Sequence, residues 1–256
     1  MRFQGILRVL QDLPLSGYEN MARDEALFLV GEVPTLRFFS WNAPTLSLGR
    51  YQRTEDLDVP FLKEKRIPVV RRPTGGRAIL HGDEVTFSFF LPIPYPHRVL
   101  YSIVQEVLKK AFADVGVFVD TCVSGAPSLQ SPACFSLALP HELAVSGRKV
   151  AGIAQARSSR GNLFEGSIPF SLYRSLFASC FREKERVFRE LREGALGLLE
   201  VRENLGKHDL IAAMTARFGE LFDGMVSGVW TEEELATTQK LLLEKYAPSS
   251  LYHYER

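Results

Sequence analysis

The chain has 256 residues, 46% of them hydrophobic, and its 31 basic and 30 acidic side chains leave a formal net charge of +1. This length can bury a substantial core in one domain, or in a domain with a small appendage. The near balance of charge excludes a global field that attracts nucleic acid or an anionic membrane, so we expect neither as a partner. No segment stays apolar long enough to span a bilayer, and we expect a soluble, cytoplasmic protein.

The cysteine content indicates a reducing compartment. Cys122, Cys134 and Cys180 are an odd number of thiols, which favours free cysteines over a disulfide framework. None of them forms a Cys-x-x-Cys pair, and the five histidines are scattered along the chain. The sequence therefore predicts no metal site.

The first third of the chain predicts a helix followed by short strands. A helix is indicated over Tyr18 to Val30, and two strands are indicated by "TLRFFSW" and "PTLSLG". The turn residues at 42 to 44 predict that these two strands form a hairpin. Asp58 is a candidate N-cap for a second helix in "DVPFLKEKRI", which leads into a strand in "PVVRRP".

The middle of the chain mixes strands and one long helix. A strand is predicted in "VTFSFFLP", and a helix with one apolar face is predicted in "PHRVLYSIVQEVLKKAFADVG". The segment from Glu142 to Phe170 is typical of an antiparallel meander. Because regular βαβ alternation is absent, we predict an α+β fold with a mixed or antiparallel sheet flanked by helices.

Charged helical segments dominate from about Leu172 onward. Thr231 and Glu234 have the spacing of a capping box at the start of the last helix. Since no long linker or internal repeat interrupts the chain, we expect one α+β domain with a short helical C-terminal extension.

The motif "RRPTGGRAILH" is the first candidate for chemistry. Gly75 and Gly76 allow positive φ and a close approach of the backbone to a ligand, and Thr74 and nearby amides offer hydrogen bonds. Arg71, Arg72 and Arg77 could bind an anion at the rim. The alternative is an ordinary hairpin turn with charges on its surface. The motif is neither a Walker loop nor a dinucleotide fingerprint.

His81 closes the same motif and could orient a carbonyl or accept a proton near neutral pH. A histidine at a strand end can equally be a structural group whose hydrogen bonds are satisfied within the protein. The adjacent Asp83 and Glu84 could act as an acid and base pair, or simply be solvated.

Cys134 is the more informative candidate, because proline and small residues around "SPACF" predict an accessible loop. Cys122 and Cys180 have apolar neighbours and are predicted to fill the core. A nucleophilic thiol needs a nearby cation or base, and Lys149 could supply it from a predicted strand. Gly152, just after Lys149, leaves space for a ligand chain. The alternatives are a buried Cys134 and an exposed Lys149.

Five motifs together resemble the lipoate and biotin protein ligase catalytic-domain family, and in particular the octanoyltransferases of the LipM type. The similarity covers most of residues 20 to 170 and lies, in family order, in "MARDEALFLV", "PTLSLGRYQ", "RRPTGGRAILH", "ELAVSGRKVAGIAQ" and "GNLFEGSI". The resemblance implies an α+β catalytic domain over about residues 30 to 215, a helical extension over about 205 to 256, and an acyl tunnel beside the Arg-Arg-x-Thr-Gly-Gly loop.

The resemblance also implies roles for residues. Cys134 matches the transferase nucleophile that carries the acyl group as a thioester. Lys149 matches the family lysine, which lowers the pKa of the cysteine and holds the acyl carbonyl. Substrate-binding roles carry over to the following residues: Arg72, Thr74, Gly75, Gly76, Arg77, His81 and Gly152. Ligases usually carry an Asp-x-Gly-Asn pattern where this chain has "GDEVTFSF", which favours the transferase.

The function implied is transfer of octanoyl from octanoyl-acyl carrier protein to a lysine of a lipoyl domain or of the glycine cleavage H protein. The transfer needs no ATP, metal or other cofactor, and a monomer is favoured. Acidic partner proteins are expected to dock on a basic region, made up of Lys63, Lys65, Arg66, Arg71, Arg72 and Arg77. Three alternatives remain: an ATP-dependent lipoate ligase, an amidotransferase between H protein and lipoyl domains, and a non-catalytic acyl-binding protein.

Overall fold

The computed structural model describes residues 2–121, 131–136 and 142–247. The strands are β1 Ile6–Gln11, β2 Thr35–Phe39, β3 Thr45–Leu48, β4 Val69–Arg71, β5 Ile79–His81, β6 Glu84–Leu91, β7 Asp120–Thr121, β8 Leu143–Val145, β9 Arg148–Lys149, β10 Gly152–Arg157, β11 Asn162–Pro169 and β12 Gly224–Ser227. The α-helices are α1 Gly17–Val30, α2 Val59–Glu64, α3 His97–Asp114, α4 Arg174–Ser179, α5 Lys184–Gly194, α6 Leu198–Val201, α7 Lys207–Gly219 and α8 Glu232–Glu244.

A six-stranded mixed sheet forms the centre of the molecule. Its strand order is β10-β11-β6-β2-β1-β12, in which β1 runs parallel to β2 and β12, while the remaining neighbours are antiparallel. Two three-stranded sheets, β4-β3-β5 and β7-β8-β9, lie beside it. The α+β class with a mixed sheet flanked by helices is confirmed.

Helices pack against the central sheet through two separate groups of apolar contacts. Helices α3 and α7 pack together and join a large core with the phenylalanines of β6, including Phe87 and Phe89. Helix α1 contacts β6 and β11, where Phe28 and Phe90 pack together, and α8 lies along α1. Strand β6 is buried along its whole length. A strand that is buried on both faces does not alternate apolar and polar residues, and the run of phenylalanines in β6 fits this rule.

Several local predictions are confirmed by hydrogen bonds at the helix ends. The Asp58 side chain accepts from the amide of Phe61 at the start of α2. Thr231 and Glu234 form the capping box of α8. None of the helices in the described ranges combines the length and apolar character that crossing a membrane requires.

The predicted hairpin between β2 and β3 is wrong. Strand β2 lies between β1 and β6 in the central sheet, whereas β3 lies between β4 and β5 in a second sheet. The connection bonds instead to the segment before α1, where the amide of Asn42 donates to the carbonyl of Leu15. Both strands are buried throughout. Each therefore takes a central position in its own sheet, with a partner on either side.

The predicted meander is also only partly right. Strands β8 and β9 form one antiparallel pair and β10 and β11 form another, but the two pairs belong to different sheets. The chain changes sheets at Val150 and Ala151, which are both buried. This change of sheet separates Lys149, at the end of β9, from Gly152, at the start of β10.

Candidate active site

Backbone hydrogen bonds hold Cys134 beside the strand that follows the Gly-Gly loop. Cys134 begins a short 3-10 turn, and its amide donates to the carbonyl of Ala78 at 2.8 Å. The amide of Ala78 in turn donates to the carbonyl of Pro132, which also accepts from the Gln52 side chain. The "SPACF" and "RRPTGGRAILH" segments are far apart in sequence, and these hydrogen bonds place them side by side in the fold.

Lys149 brings an ammonium group to the thiol of Cys134. Its side chain is only 1% exposed, and Nζ lies 3.3 Å from Sγ and 3.4 Å from the carbonyl oxygen of Cys134. Nζ also donates to the carboxylate of Glu142, in an ion pair at the start of β8. The structure thus brings together the cysteine and the lysine that the sequence analysis selected.

The buried Lys149 keeps its charge because two acids surround it. Burial alone lowers the pKa of a lysine, but the neighbouring Cys134 sulfur and the Glu142 carboxylate outweigh burial and raise the pKa of Lys149 above its ordinary value. Sequence reasoning missed Glu142, since a single acid in a loop carries no signal of its own. The only indication was that a buried lysine needs a carboxylate partner.

A cavity of about 770 Å³ lies beside this pair. The buried residues Met21, Phe39 and Trp41 line it in the interior, and the exposed His97, Arg98 and Ser102 of α3 line it at the surface. Buried polar residues, among them Thr86 and Ser167, also line the interior. A cavity that is partly apolar within and opens at the surface suits a flexible apolar chain with a polar carrier outside.

Gly152 leaves room next to the thiol. A Cβ atom at this position would lie 3.5 Å from Cys134 Sγ and 3.4 Å from Cζ of Phe135. These are ordinary contact distances, so a methyl group fits whereas a larger side chain would enter the space in front of the sulfur. This placement agrees with the expectation that small residues after Lys149 leave space for a ligand.

The Gly-Gly loop is built around a buried arginine. The Arg72 guanidinium donates to the carbonyls of Gly75, Arg77 and Ser47, at 2.7 to 3.2 Å. Gly76 has a φ of +92° and lines the cavity together with Arg77. Arg72 lines the cavity but is buried rather than exposed at its rim, and these carbonyls bond its guanidinium. Its predicted role in binding substrate stays a prediction.

Arg71 is also used within the protein, because its guanidinium donates to the carbonyls of Gly49 and Gln52. The expected basic docking region is therefore smaller than the sequence indicated. Lys63, Lys65 and Arg66 are its exposed members on the described surface.

Thr74 holds a carboxylate that sequence reasoning did not select. Its hydroxyl and its amide both donate to Glu165, on β11. Glu165 lines the cavity, and burial together with the neighbouring Asp24 raises its pKa to about 8. Thr74 itself is buried, so it acts through Glu165 and the loop rather than by lining the cavity.

His81 lines the cavity, and both of its ring nitrogens are used within the protein. Nε2 lies 2.7 Å from Ser47 Oγ, Nδ1 lies 2.6 Å from the Glu84 carboxylate, and the ring stacks on Trp41 with centroids 3.9 Å apart. Burial pushes the pKa of Glu84 upward, but His81 and two hydroxyl donors outweigh burial and hold it below its ordinary value. His81 is a satisfied structural group in the cavity wall.

Of the other two cysteines, the structure describes Cys180. Cys180 is buried, and burial, with Asp58 nearby, raises its pKa to about 12. Its predicted place in the core is confirmed. Cys122 lies outside the described residues.

The chain has the fold of solved lipoate-protein ligase structures. A bi-partite lipoate protein ligase from Thermoplasma acidophilum superposes with a TM-score of 0.80 at 18% identity, over 96% of this chain and 95% of that one. A lipoate-protein ligase A bound with ATP superposes with a TM-score of 0.78, also at 18% identity, over 96% of each chain.

Sequence comparison gives the family. Residues 16–219 match the model of the lipoyl protein ligase A/B catalytic domain. A relative from Exiguobacterium sp., named octanoyltransferase LipM, is 37% identical over 89% of this chain and 91% of its own length. One of the same name from Carboxydothermus hydrogenoformans is 33% identical, over 93% and 95%. The chain belongs to the lipoyl protein ligase A/B catalytic-domain family and, within it, to the group of the LipM octanoyltransferases.

Proposed function

We propose that this protein transfers an octanoyl group from octanoyl-acyl carrier protein to a lysine of a lipoyl domain, through a thioester on Cys134. The observation that carries the proposal is the 3.3 Å approach of Lys149 Nζ to Cys134 Sγ in the wall of a partly apolar cavity. The names of the LipM relatives support octanoyl transfer, and the paired thiol and ammonium support a covalent route.

In the first step, the thiolate of Cys134 attacks the carbonyl carbon of the donor thioester. A new carbon–sulfur bond forms to Cys134, the donor's carbon–sulfur bond breaks, and the carrier leaves as its thiol after taking up a proton. Lys149 stabilises the thiolate before the attack and the developing oxyanion during it. Glu142 keeps the ammonium in place, because Nζ is bonded to it on another side.

The cavity orients the acyl chain for that attack. The octanoyl tail occupies the apolar interior next to Met21 and Trp41, and the carbonyl lies beside Gly152 at the sulfur. Amides of the Gly75-Gly76 loop add to the oxyanion site, and Arg77 borders the opening. Arg72, Thr74 and His81 shape the site by holding the loop and the wall, since their polar groups are bonded within the protein.

In the second step, the ε-amine of the acceptor lysine attacks the thioester carbon. An amide bond forms and the carbon–sulfur bond to Cys134 breaks. Cys134 is again a thiolate that faces the Lys149 ammonium, and the acceptor amine loses a proton. Because an amide is more stable than a thioester, this transfer requires no ATP, and we propose that the enzyme uses no cofactor. The acceptor is a lipoyl domain or the glycine cleavage H protein. Exposed Lys63, Lys65 and Arg66 offer a basic surface for such acidic proteins.

The test is acylation of the purified chain by octanoyl-acyl carrier protein without ATP, read by intact mass and peptide mapping. We expect one octanoyl adduct on Cys134, and loss of the adduct on adding a lipoyl domain that becomes octanoylated. Cys134→Ala should give neither product, while its unfolding temperature stays close to that of the unchanged chain. Cys180→Ala is the matched control and should acylate normally.

Other outcomes lead to the alternatives. An adduct that forms only from octanoylated H protein would indicate an amidotransferase between H protein and lipoyl domains. Transfer that requires free octanoate, ATP and magnesium, and that persists in Cys134→Ala, would indicate a ligase. Tight acyl binding with no adduct from any donor would indicate a non-catalytic acyl-binding protein.

A further inference from the structure

We infer that Tyr246, just after α8, forms the outer layer of the wall at the buried end of the acyl cavity and so limits the length of the acyl chain. The inference rests on the proposed function for the identity of the ligand. It concerns a segment outside the family match, which covers residues 16–219. Tyr246 is a positioning residue, because it acts through the residues that line the cavity.

The first observation is shared packing. Met21, Phe39 and Trp41 line the buried end of the cavity, and the same three side chains form one apolar cluster with Tyr246 and Val70. Tyr246 is only 3% exposed. Its ring therefore occupies the layer directly behind the lining, where a tunnel for a longer chain would have to continue.

The second observation is that the Tyr246 hydroxyl is fixed. It donates to the carboxylate of Glu25 on α1, and Lys245 Nζ lies 2.7 Å from both oxygens of the same carboxylate. Burial and the Glu25 carboxylate raise the pKa of Tyr246 well above its ordinary value, which keeps the hydroxyl protonated as a donor. The ring is held by packing at one end and by a charge-assisted hydrogen bond at the other.

The third observation is that the described part of the C-terminal segment, residues 224–247, is anchored to the first part of the chain. Strand β12 pairs with β1, and the Arg8 guanidinium forms a buried, two-bond pair with Glu234 at the start of α8. The Trp230 indole donates to Asp12, and α8 packs along α1. These contacts fix α8, which precedes Tyr246, so the ring is held from the helix side as well as by its own packing and hydrogen bond.

A smaller side chain at position 246 removes this outer layer. Met21 is unbranched and flexible, so it can move into the vacated space and lengthen the cavity. Each further methylene of a longer chain that becomes buried gains about 0.8 kcal/mol. Two methylenes therefore change the decanoyl-to-octanoyl preference by roughly tenfold.

The experiment measures single-turnover acylation of Cys134 by octanoyl-, decanoyl- and dodecanoyl-acyl carrier protein. The variants are Tyr246→Ala, Tyr246→Leu and Tyr246→Phe, with Leu243→Ala as control, because Leu243 is 79% exposed at the end of α8. We expect Tyr246→Ala and Tyr246→Leu to raise the decanoyl-to-octanoyl rate ratio roughly tenfold. Tyr246→Phe, which keeps the ring, and Leu243→Ala should leave the ratio unchanged.

If Tyr246 only supported the fold, its substitution would slow acylation by all donors equally. An unchanged decanoyl-to-octanoyl rate ratio in both Tyr246→Ala and Tyr246→Leu overturns the inference. If Tyr246→Ala does not fold, the ratio in Tyr246→Leu decides. Failure of the octanoyl donor to acylate the unchanged chain would instead count against the proposed function. In that event the rise in unfolding temperature with decanoate against octanoate, in the same variants, tests the cavity wall separately.

Discussion

The Lys149 ammonium lies 3.3 Å from the Cys134 sulfur and also pairs with Glu142, so one buried cation faces two acids. With Cys134 as a thiolate, this cluster carries one negative charge in excess. Acylation of Cys134 removes the thiolate charge and leaves the Lys149 and Glu142 pair neutral overall. Because unbalanced charge is costly in a buried site, the cluster favours the thioester over the thiolate.

The first prediction concerns the charge of Lys149. Lys149→Met keeps a similar length and apolar stem but removes the ammonium that faces both the sulfur and the oxyanion. We expect single-turnover acylation to slow by about 10²- to 10³-fold, the range seen when a preorganised electrostatic donor is lost. The measurement is the rate of octanoyl adduct formation by rapid-quench mass spectrometry.

Glu142→Gln is the matched control for Lys149→Met, because it retains the ammonium and a hydrogen-bond acceptor. We expect this variant to keep most of its acylation rate, while Lys149→Met also removes the ion pair with the half-buried Glu142. Both variants should be compared at equal folded fraction, established by circular dichroism. An acylation rate in Lys149→Met equal to that of the unchanged chain would remove Lys149 from the mechanism.

The second prediction uses the space at Gly152. Gly152→Ala places a methyl group 3.5 Å from Cys134 Sγ, a contact distance that requires no movement of the neighbouring atoms. Gly152→Val adds two further carbons in front of the sulfur, where the thioester carbonyl has to lie. We expect acylation close to normal in Gly152→Ala and reduced by about 10²-fold or more in Gly152→Val, since small misplacements at a reacting centre are costly.

Thermal unfolding separates the two explanations for a slow Gly152→Val variant. If the variant unfolds at nearly the same temperature and its thiol still reacts with a small alkylating reagent, the acylation rate falls because the valine excludes the acyl carbonyl from the space beside the sulfur. Equal acylation rates in Gly152→Ala and Gly152→Val would show that the thioester approaches the sulfur from another side.

Sequence patterns predicted the parts of this structure that depend on local periodicity and spacing. The helices α1, α2, α3 and α8 follow from apolar periodicity and caps. The residue types suggested that Cys134 and Lys149 could pair, and the resemblance implied it, but only tertiary structure brings together two residues fifteen apart. Sheet membership of β2 and β3 was mispredicted, since a short turn between two strands does not decide which neighbours they bond.

Residues whose role depends on burial were the ones that sequence reasoning missed. Glu142 and Glu165 are single acids in ordinary polar and strand patterns. Only the folded chain shows that Glu142 is half-buried beside a cation and that Glu165 is buried beside another acid. Arg72 was assigned to the rim for the opposite reason. A charged residue next to a glycine pair is usually exposed, and nothing local signals that backbone carbonyls enclose it.

The third prediction follows from the hydrogen bonds of Arg72 to the carbonyls around the Gly-Gly loop. Its planar guanidinium bonds three separate carbonyls around the Gly-Gly loop, a geometry that the single ammonium of lysine cannot reproduce. We expect Arg72→Lys to lower the free energy of unfolding by about 1 to 3 kcal/mol, because buried carbonyls lose their donors. Urea unfolding measures this change, and Arg50→Lys, at an exposed position, is the control.

If Arg72 instead contacted the donor directly, Arg72→Lys would weaken donor binding while leaving the unfolding free energy unchanged. That result would contradict the structural role. Loss of stability together with slower acylation is the pattern expected when the loop beside Cys134 becomes less ordered.

The last prediction concerns Glu165, whose pKa is raised from 4.5 to about 8 by burial and by Asp24. Between these two values the folded chain holds a proton that the unfolded chain has released. The stabilising contribution of that proton is complete below pH 4.5 and is lost as the pH rises to about 8. Stability therefore falls across this window, by at most about 1.4 kcal/mol per pH unit from this group.

Glu165→Gln removes the titration and keeps a carbonyl oxygen to accept from Thr74. Urea unfolding of both proteins between about pH 5 and pH 8.5 gives the difference in their free energies of unfolding, in which contributions from titrating groups distant from Glu165 cancel. We expect the variant to gain stability relative to the unchanged chain as the pH rises. Parallel curves over the whole range would show that Glu165 titrates below this window and that Asp24 does not hold it protonated.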